Sequence, residues 1–199
     1  MKKFELTSET KIDVFGKKLF RIKALISFGC VEAGETGGWV EKEENLSQSG
    51  NAWVRGNAEV YGNAWVYGNA KVFGNAKVYD NAWVYDNAWV RGNAEVYDNA
   101  KVYDNAKVCG NAKVCGNAWV RDNADYTTIH GFGTQFRTTT FFRCKDKAVR
   151  VSCGCFFGTI SEFREQVKKT RSGKIAEEYL AIADLMEKHF EKEENHGRR

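Results

Sequence analysis

Asn51-Ala52-Trp53-Val54-Arg55-Gly56-Asn57-Ala58-Glu59-Val60-Tyr61-Gly62 opens a run in which a six-residue phrase, Asn-Ala-x-Val-x-(Gly/Asp), recurs without insertion as far as Ala124. Valine stands at position 54 and at every sixth position to Val120, with alanine two residues before it and asparagine before the alanine. A fixed short period of this kind is the signature of a solenoid. Within a phrase, strand alternation sends Ala58 and Val60 to one side and Glu59 and Tyr61 to the other. The small and branched apolar pair therefore lines the inside. The Gly-Asn or Asp-Asn that follows tolerates left-handed backbone angles, so each phrase is a short strand and a bend.

These residues and their spacing resemble the hexapeptide-repeat proteins, which carry an aliphatic residue at the inward position and a small residue two places before it. The resemblance implies a left-handed parallel β-helix, three phrases to a triangular coil of about 18 residues, with coils stacked about 4.8 Å apart. Residues 51–124 then give about four coils. Gly37-Gly38-Trp39-Val40 leading to Gly50-Asn51 resembles the lead-in of phage- and prophage-type members. Thr138 to Arg143, Cys153 to Phe156 and Gly158-Thr159 resemble their C-terminal parts. That group transfers no settled biochemical role, because a repeat specifies a fold far more than a function.

The fold expected is mainly β: a left-handed parallel β-helix with an N-terminal β cap and a C-terminal β-hairpin plus αα-hairpin. Residues 1–50 form the cap and lead-in, with strands at 11–15 and 18–24; 51–124 the β-helix; 125–190 an α+β cap; and 191–199 a disordered tail. Thr138 to Cys144 and Ala148 to Cys155 read as the hairpin. Thr159-x-x-Glu162 is a capping box opening a helix that carries Ile160, Phe163 and Val167. A second helix over 174–190 carries Ile175, Tyr179, Ile182, Leu185 and Met186 at helical spacing.

Coil stacking sorts the outward residues into three faces. The first carries Trp53, Lys71, Trp89 and Lys107 beside Arg55, Phe73, Arg91 and Cys109. The second carries Glu59, Lys77, Glu95 and Lys113 beside Tyr61, Tyr79, Tyr97 and Cys115. The third carries Trp65, Trp83, Lys101 and Trp119 beside Tyr67, Tyr85, Tyr103 and Arg121. The aromatic ladders read as partly structural, shielding backbone and stabilising neighbouring strands, and aromatics outside a filled core also mark an interaction surface. Trp53, Trp65, Tyr67, Trp83, Tyr85, Trp89, Tyr103 and Trp119 are therefore the expected oligomer or partner interface. A trimer or a dimer of parallel rods buries them equally well.

The 199 residues carry a formal net charge of +4, with most of the excess in the C-terminal flank. The repeats nearly balance acids and bases and lack the one-sided basic stripe of a duplex-binding surface, so duplex DNA is not an expected partner. No stretch is apolar enough to span a membrane, and Met1-Lys2-Lys3-Phe4-Glu5 lacks an apolar signal core. Six irregularly spaced cysteines then read as reduced thiols, and the expected compartment is the cytoplasm of a bacterial host cell.

Chemistry has few places to reside. The carbonic-anhydrase-like members of the resembled family hold zinc with three histidines from neighbouring coils, and no repeat position here is histidine. The acyltransferase members use a histidine near an extruded loop; here no coil is interrupted and His130 alone lies near the solenoid. Cys153-x-Cys155 supplies two sulfurs that a buried hairpin explains without a metal. No catalytic residue, metal or cofactor is expected. The best small-ligand site is Gly131-Phe132-Gly133-Thr134-Gln135-Phe136-Arg137 with Thr138 and Arg143. There backbone N–H groups, hydroxyls and guanidinium forks match an anion, and Phe132 or Phe136 can stack on a base. The reading is a non-enzymatic oligomeric binding protein. It either sequesters a small nucleotide-like ligand or blocks a host protein, a role suited to phage or prophage counter-defence. The alternatives are an interaction rod using its aromatic faces and a hexapeptide-type acyltransferase.

Overall fold

The inward alanines and valines set the architecture. The computed structural model describes residues 1–191, and every alanine and valine of the phrase from Ala52 to Val120 is buried. Strands β1 (Phe4–Ile12) and β2 (Lys18–Ala24) form an antiparallel hairpin. Strand β3 (Thr36–Val40) pairs antiparallel with β2 and, by its other edge, parallel with the solenoid. Short strands from β4 (Trp53–Val54) to β15 (Trp119–Val120) then wind into three parallel stacks. Val54, Val72, Val90 and Val108 share one register. Val60, Val78, Val96 and Val114 share the second, and Val66, Val84, Val102 and Val120 the third.

The solenoid starts before the perfect repeat does. Val40 pairs with Val60 and Leu46 with Val66, so the lead-in contributes an additional turn and the rod makes about five. The two residues by which this first turn exceeds the later ones fall between Leu46 and Val54. Gly37 and Gly38 belong to this turn because backbone and core come close there. A β-carbon on Gly37 would lie 2.5 Å from Ile22 and one on Gly38 2.7 Å from Val54.

Rungs are joined by backbone hydrogen bonds such as Trp53 N–H to Ala70 O at 3.0 Å and Glu59 N–H to Ala76 O at 2.9 Å. At the corners the Gly/Asp position alone enters left-handed space: Asp80, Asp86, Asp98 and Asp104 have φ of 51–57°. Asparagine serves a different purpose from the one its turn propensity suggested. Its amide donates to the asparagine one turn on, at 3.0 Å from Asn51 to Asn69 and 3.1 Å from Asn69 to Asn87, tying the corners together.

The ends of the rod are closed by side chains that stand in for a missing rung. At the start, Asn45 Nδ2 donates to Gly62 O and Ala64 O, and Lys3 Nζ donates to Ala52 O at 2.9 Å. At the finish, Asn123 Oδ1 accepts from Lys107 N–H and Thr140 Oγ1 from Lys113 N–H. These pairings satisfy buried or edge groups that otherwise carry a desolvation cost.

The C-terminal cap has more sheet than expected. The anticipated pair, β17 (Arg137–Arg143) and β18 (Val149–Cys153), is flanked by β16 (Tyr126–Phe132) and β19 (Phe156–Thr159) in one antiparallel sheet. Residues 126–132, where no strand was expected, form β16, and Gly133 to Phe136 make the turn into β17. Helices α1 (Ile160–Thr170) and α2 (Gly173–Phe190) cover the sheet. The capping box forms as expected, Glu162 N–H donating to Thr159 Oγ1 at 3.1 Å. Phe163, Val167, Tyr179, Ile182 and Met186 pack with Phe141 and Val151, whereas Leu185 is exposed rather than part of the apolar stripe. Of the anticipated disordered tail, residues 192–199 lie outside the described residues.

Lys3 is 2 % exposed and has no carboxylate partner among the described residues; its ammonium rests 4.8 Å from the Phe28 ring centre. Burial pushes its pKa down from 10.5 to about 8. Between those values the unfolded chain binds more protons than the folded one, so this residue adds stability as pH rises. In urea titrations the wild type should gain stability relative to Lys3→Met between about pH 8 and 10. A pH-independent difference contradicts the assignment.

Candidate functional site

The turn between β16 and β17 carries Thr134 and leads into Arg137. Gly133 and Phe136 adopt positive φ there, 70° and 46°, which turns the chain tightly into Arg137. Gly154, between Cys153 and Cys155, makes the corresponding turn between β18 and β19, and Arg137 lies across it: a β-carbon at Gly154 would meet the guanidinium. Helix α1 ends nearby at Thr170 and Arg171.

These elements enclose a cavity of about 140 Å³ lined by Thr134, Arg137, Cys153, Cys155, Arg171 and Tyr179, with Phe156 and Phe163 among its apolar walls. Among the described residues no carboxylate lines it. Arg137 has no hydrogen-bond acceptor or acid partner among the described residues, and Arg171 donates only to the adjacent Thr170 O at 3.1 Å. Tyr179 donates to Phe132 O at 3.1 Å. Burial raises its pKa, followed by the nearby Cys153 sulfur, while the charges of Arg171 and Arg137 pull the other way. Both guanidinium groups thus act on one phenol. Two cations without counter-charge beside hydroxyls and an aromatic wall match a small anion.

The six residues singled out in the sequence do not form one site. Thr134 and Arg137 line the cavity. Phe136 is 67 % exposed and, with Thr138, His130 and the other side of Arg137, borders a shallower depression. Phe132 packs toward the helices and contributes its carbonyl to Tyr179. Arg143 is occupied structurally: it pairs with Asp125 at 3.5 Å and donates to Phe190 O at 2.7 Å. Arg171 was missed because it lies in a helix cap remote in sequence. His130 meets only Thr138 Oγ1, at 3.2 Å, and is exposed.

The predicted aromatic interface is also divided. Trp53 is 4 % exposed, buried beneath the N-terminal cap against Phe4 and Phe28 rather than standing free on the face as expected. Trp89 is half-buried on the same face. The third face is the open one. Tyr67, Tyr85 and Tyr103 stack at 4.8 and 5.1 Å, Trp65 stacks on Tyr67 at 4.1 Å, and Lys101 sits between Trp83 and Trp119. Trp65 and Trp83 remain 38 % and 36 % exposed. On the second face the matching column of Tyr61, Tyr79 and Tyr97 starts under the cap, where Leu19, Trp39 and Tyr61 cluster and Phe15 meets Tyr79.

No family model matches the chain, and no curated protein matches it. No helix among the described residues is long and apolar enough to cross a membrane, and no group of three or more His, Cys, Asp or Glu among them is placed to hold a metal ion.

All six cysteines are free. Burial raises the thiol pKa of Cys115 and Cys144, the latter to about 11, whereas Cys30 and Cys155 are exposed. A thiol reagent at about pH 8 should therefore label Cys30 and Cys155 first and reach Cys115 and Cys144 only on unfolding, as read by peptide mass mapping. Early labelling of Cys144 contradicts the cap packing.

Proposed function

We propose that this is a non-catalytic binding protein of the hexapeptide-repeat type, whose C-terminal cap holds a small anionic, nucleotide-like ligand and whose rods associate through the third face. The observation that carries the ligand reading is the convergence of Arg137 and Arg171 on a cavity with no carboxylate in its lining. Guanidinium forks present paired N–H donors to a phosphate or carboxylate, and Thr134 adds a hydroxyl. The aromatic wall at Phe156 suits a planar body beside the charged group. Among the described residues the His130 side chain has one hydrogen bond, with Thr138 Oγ1, and no carboxylate or backbone partner orients it as a base, which favours binding over acyl transfer.

Equilibrium dialysis against inorganic phosphate and a panel of nucleoside mono- and diphosphates tests the site. One or more of these anions should be retained, and Arg137→Gln or Arg171→Gln should each weaken retention about tenfold or more, as expected for a charge-assisted pair worth about 1.5–3 kcal/mol. Both side chains are exposed, so the fold should survive. No retention by the wild type, or retention indifferent to both substitutions, overturns the proposal.

Association through the third face rests on the exposure of Trp65 and Trp83 beside a stacked tyrosine column. Replacing both tryptophans with serine should lower the mass measured by light scattering to that of one chain while leaving the circular dichroism unchanged. An assembly that persists in the double variant, or a wild type that is already monomeric, excludes this face as the self-association surface.

A further inference from the structure

Acids and bases nearly balance along the repeat, yet the fold sorts them by face. Glu59 is held by Lys11 at 2.7 Å and Lys77 at 3.1 Å, and Glu95 by Lys113 at 3.3 Å, all on the second face. Asp86 and Asp104 stand at the corner beside Tyr85 of the third face, whose pKa rises to about 12 through burial first, then the neighbouring tyrosines and these two carboxylates. The first face keeps one cation on each rung: Arg55, Lys71, Arg91 and Lys107. Only Arg55 is paired, with Glu35 at 2.6 Å; among the described residues no carboxylate pairs with Lys71, Arg91 or Lys107. The first face thus carries a row of four cations, three of them without a carboxylate partner among the described residues.

Aromatic side chains are interleaved with these cations. A groove of about 220 Å³, mostly apolar, is lined by Cys30, Trp53, Arg55, Lys71, Phe73 and Trp89. Phe73 and Trp89 are half-buried, with ring centres 5.9 Å apart and planes at 74°. The ammonium groups of Lys71 and Lys107 lie 5.5 and 5.1 Å from the Trp89 ring centre, from where they can swing to phosphate oxygens and leave the ring to a base. At about 4.8 Å per rung the four cations span about 14 Å along the axis. They are strung out rather than converging on one point. That arrangement fits an extended polyanion with exposed rings better than a single small anion.

We propose that the first face binds single-stranded nucleic acid, with a base in the groove at Phe73 and Trp89 and phosphates passing Lys71, Arg91 and Lys107. A duplex keeps its bases stacked on one another and out of reach of such a groove, so it has only the cations to bind. The site is separate from the cap cavity.

Fluorescence anisotropy with a labelled oligothymidylate of about twelve nucleotides tests this across a salt series. Affinity should fall as salt rises. Lys71→Gln, Arg91→Gln and Lys107→Gln should each reduce the slope of log K against log salt by about 0.7, and Arg121→Gln, on the third face, should leave it unchanged. An abasic strand of the same length should bind about tenfold more weakly, and so should a duplex of the same length. Failure to bind at low salt, equal affinity for the abasic strand or the duplex, or slopes unmoved by the three first-face substitutions overturns the proposal. Circular dichroism of each variant confirms that a lost signal comes from the surface and not from unfolding.

Discussion

Every rung of the rod depends on its backbone finding a partner one turn away in register. Peptide groups removed from water without a partner cost more than most single side-chain contacts contribute. A narrow coil can keep that register only if its interior is filled by side chains small enough for the triangle and branched enough to pack, which alanine and valine provide. The same demand explains the asparagine columns and the ends. Where a rung is missing, Lys3, Asn45, Asn123 or Thr140 supplies the donor or acceptor that the next strand would have given. A charge at Lys3 is tolerated in so buried a place because the carbonyl it meets and the ring it faces both favour a cation.

A core made wholly of inward positions leaves the outward positions free to differ between faces, and the caps then decide which of them meet solvent. The N-terminal hairpin closes over Tyr61 and the Glu59 ion pairs, so the second face serves the fold. The first and third faces stay accessible, one basic with aromatic interruptions and the other dominated by stacked aromatic rings. The C-terminal cap does more than close the rod. Its sheet carries Arg137 and its helix end carries Arg171 to one cavity, which neither element forms alone.

The periodic part of the fold was legible because one residue type at each inward position leaves a single consistent reading: strand, bend and stack. The capping box at Thr159 and Glu162 was equally local, and it formed. What escaped the sequence depends on contacts between distant segments. Trp53 and Trp65 stand in the same Gly-Asn-Ala-Trp-Val setting, yet one lies under the N-terminal cap and the other in solvent. The stretch around Gly131 carries a turn signal strong enough to mask the strand that precedes it. Arg143 looks as available as Arg137 until Asp125 and the carbonyl of Phe190 are brought against it. The face-by-face sorting of charge needed the cap's Lys11 to show that Glu59 was already occupied.

The central claim is that the cap cavity is built to hold a small anion. Native mass spectrometry of protein purified gently from the cells that express it tests this most directly, since it reports assembly and retained ligand in one spectrum. The account predicts a species heavier than the polypeptide by the mass of an organic anion, with the extra mass absent when Arg137 and Arg171 are both glutamine. A wild-type spectrum free of any adduct, unchanged after incubation with a cell extract of small molecules, would contradict it.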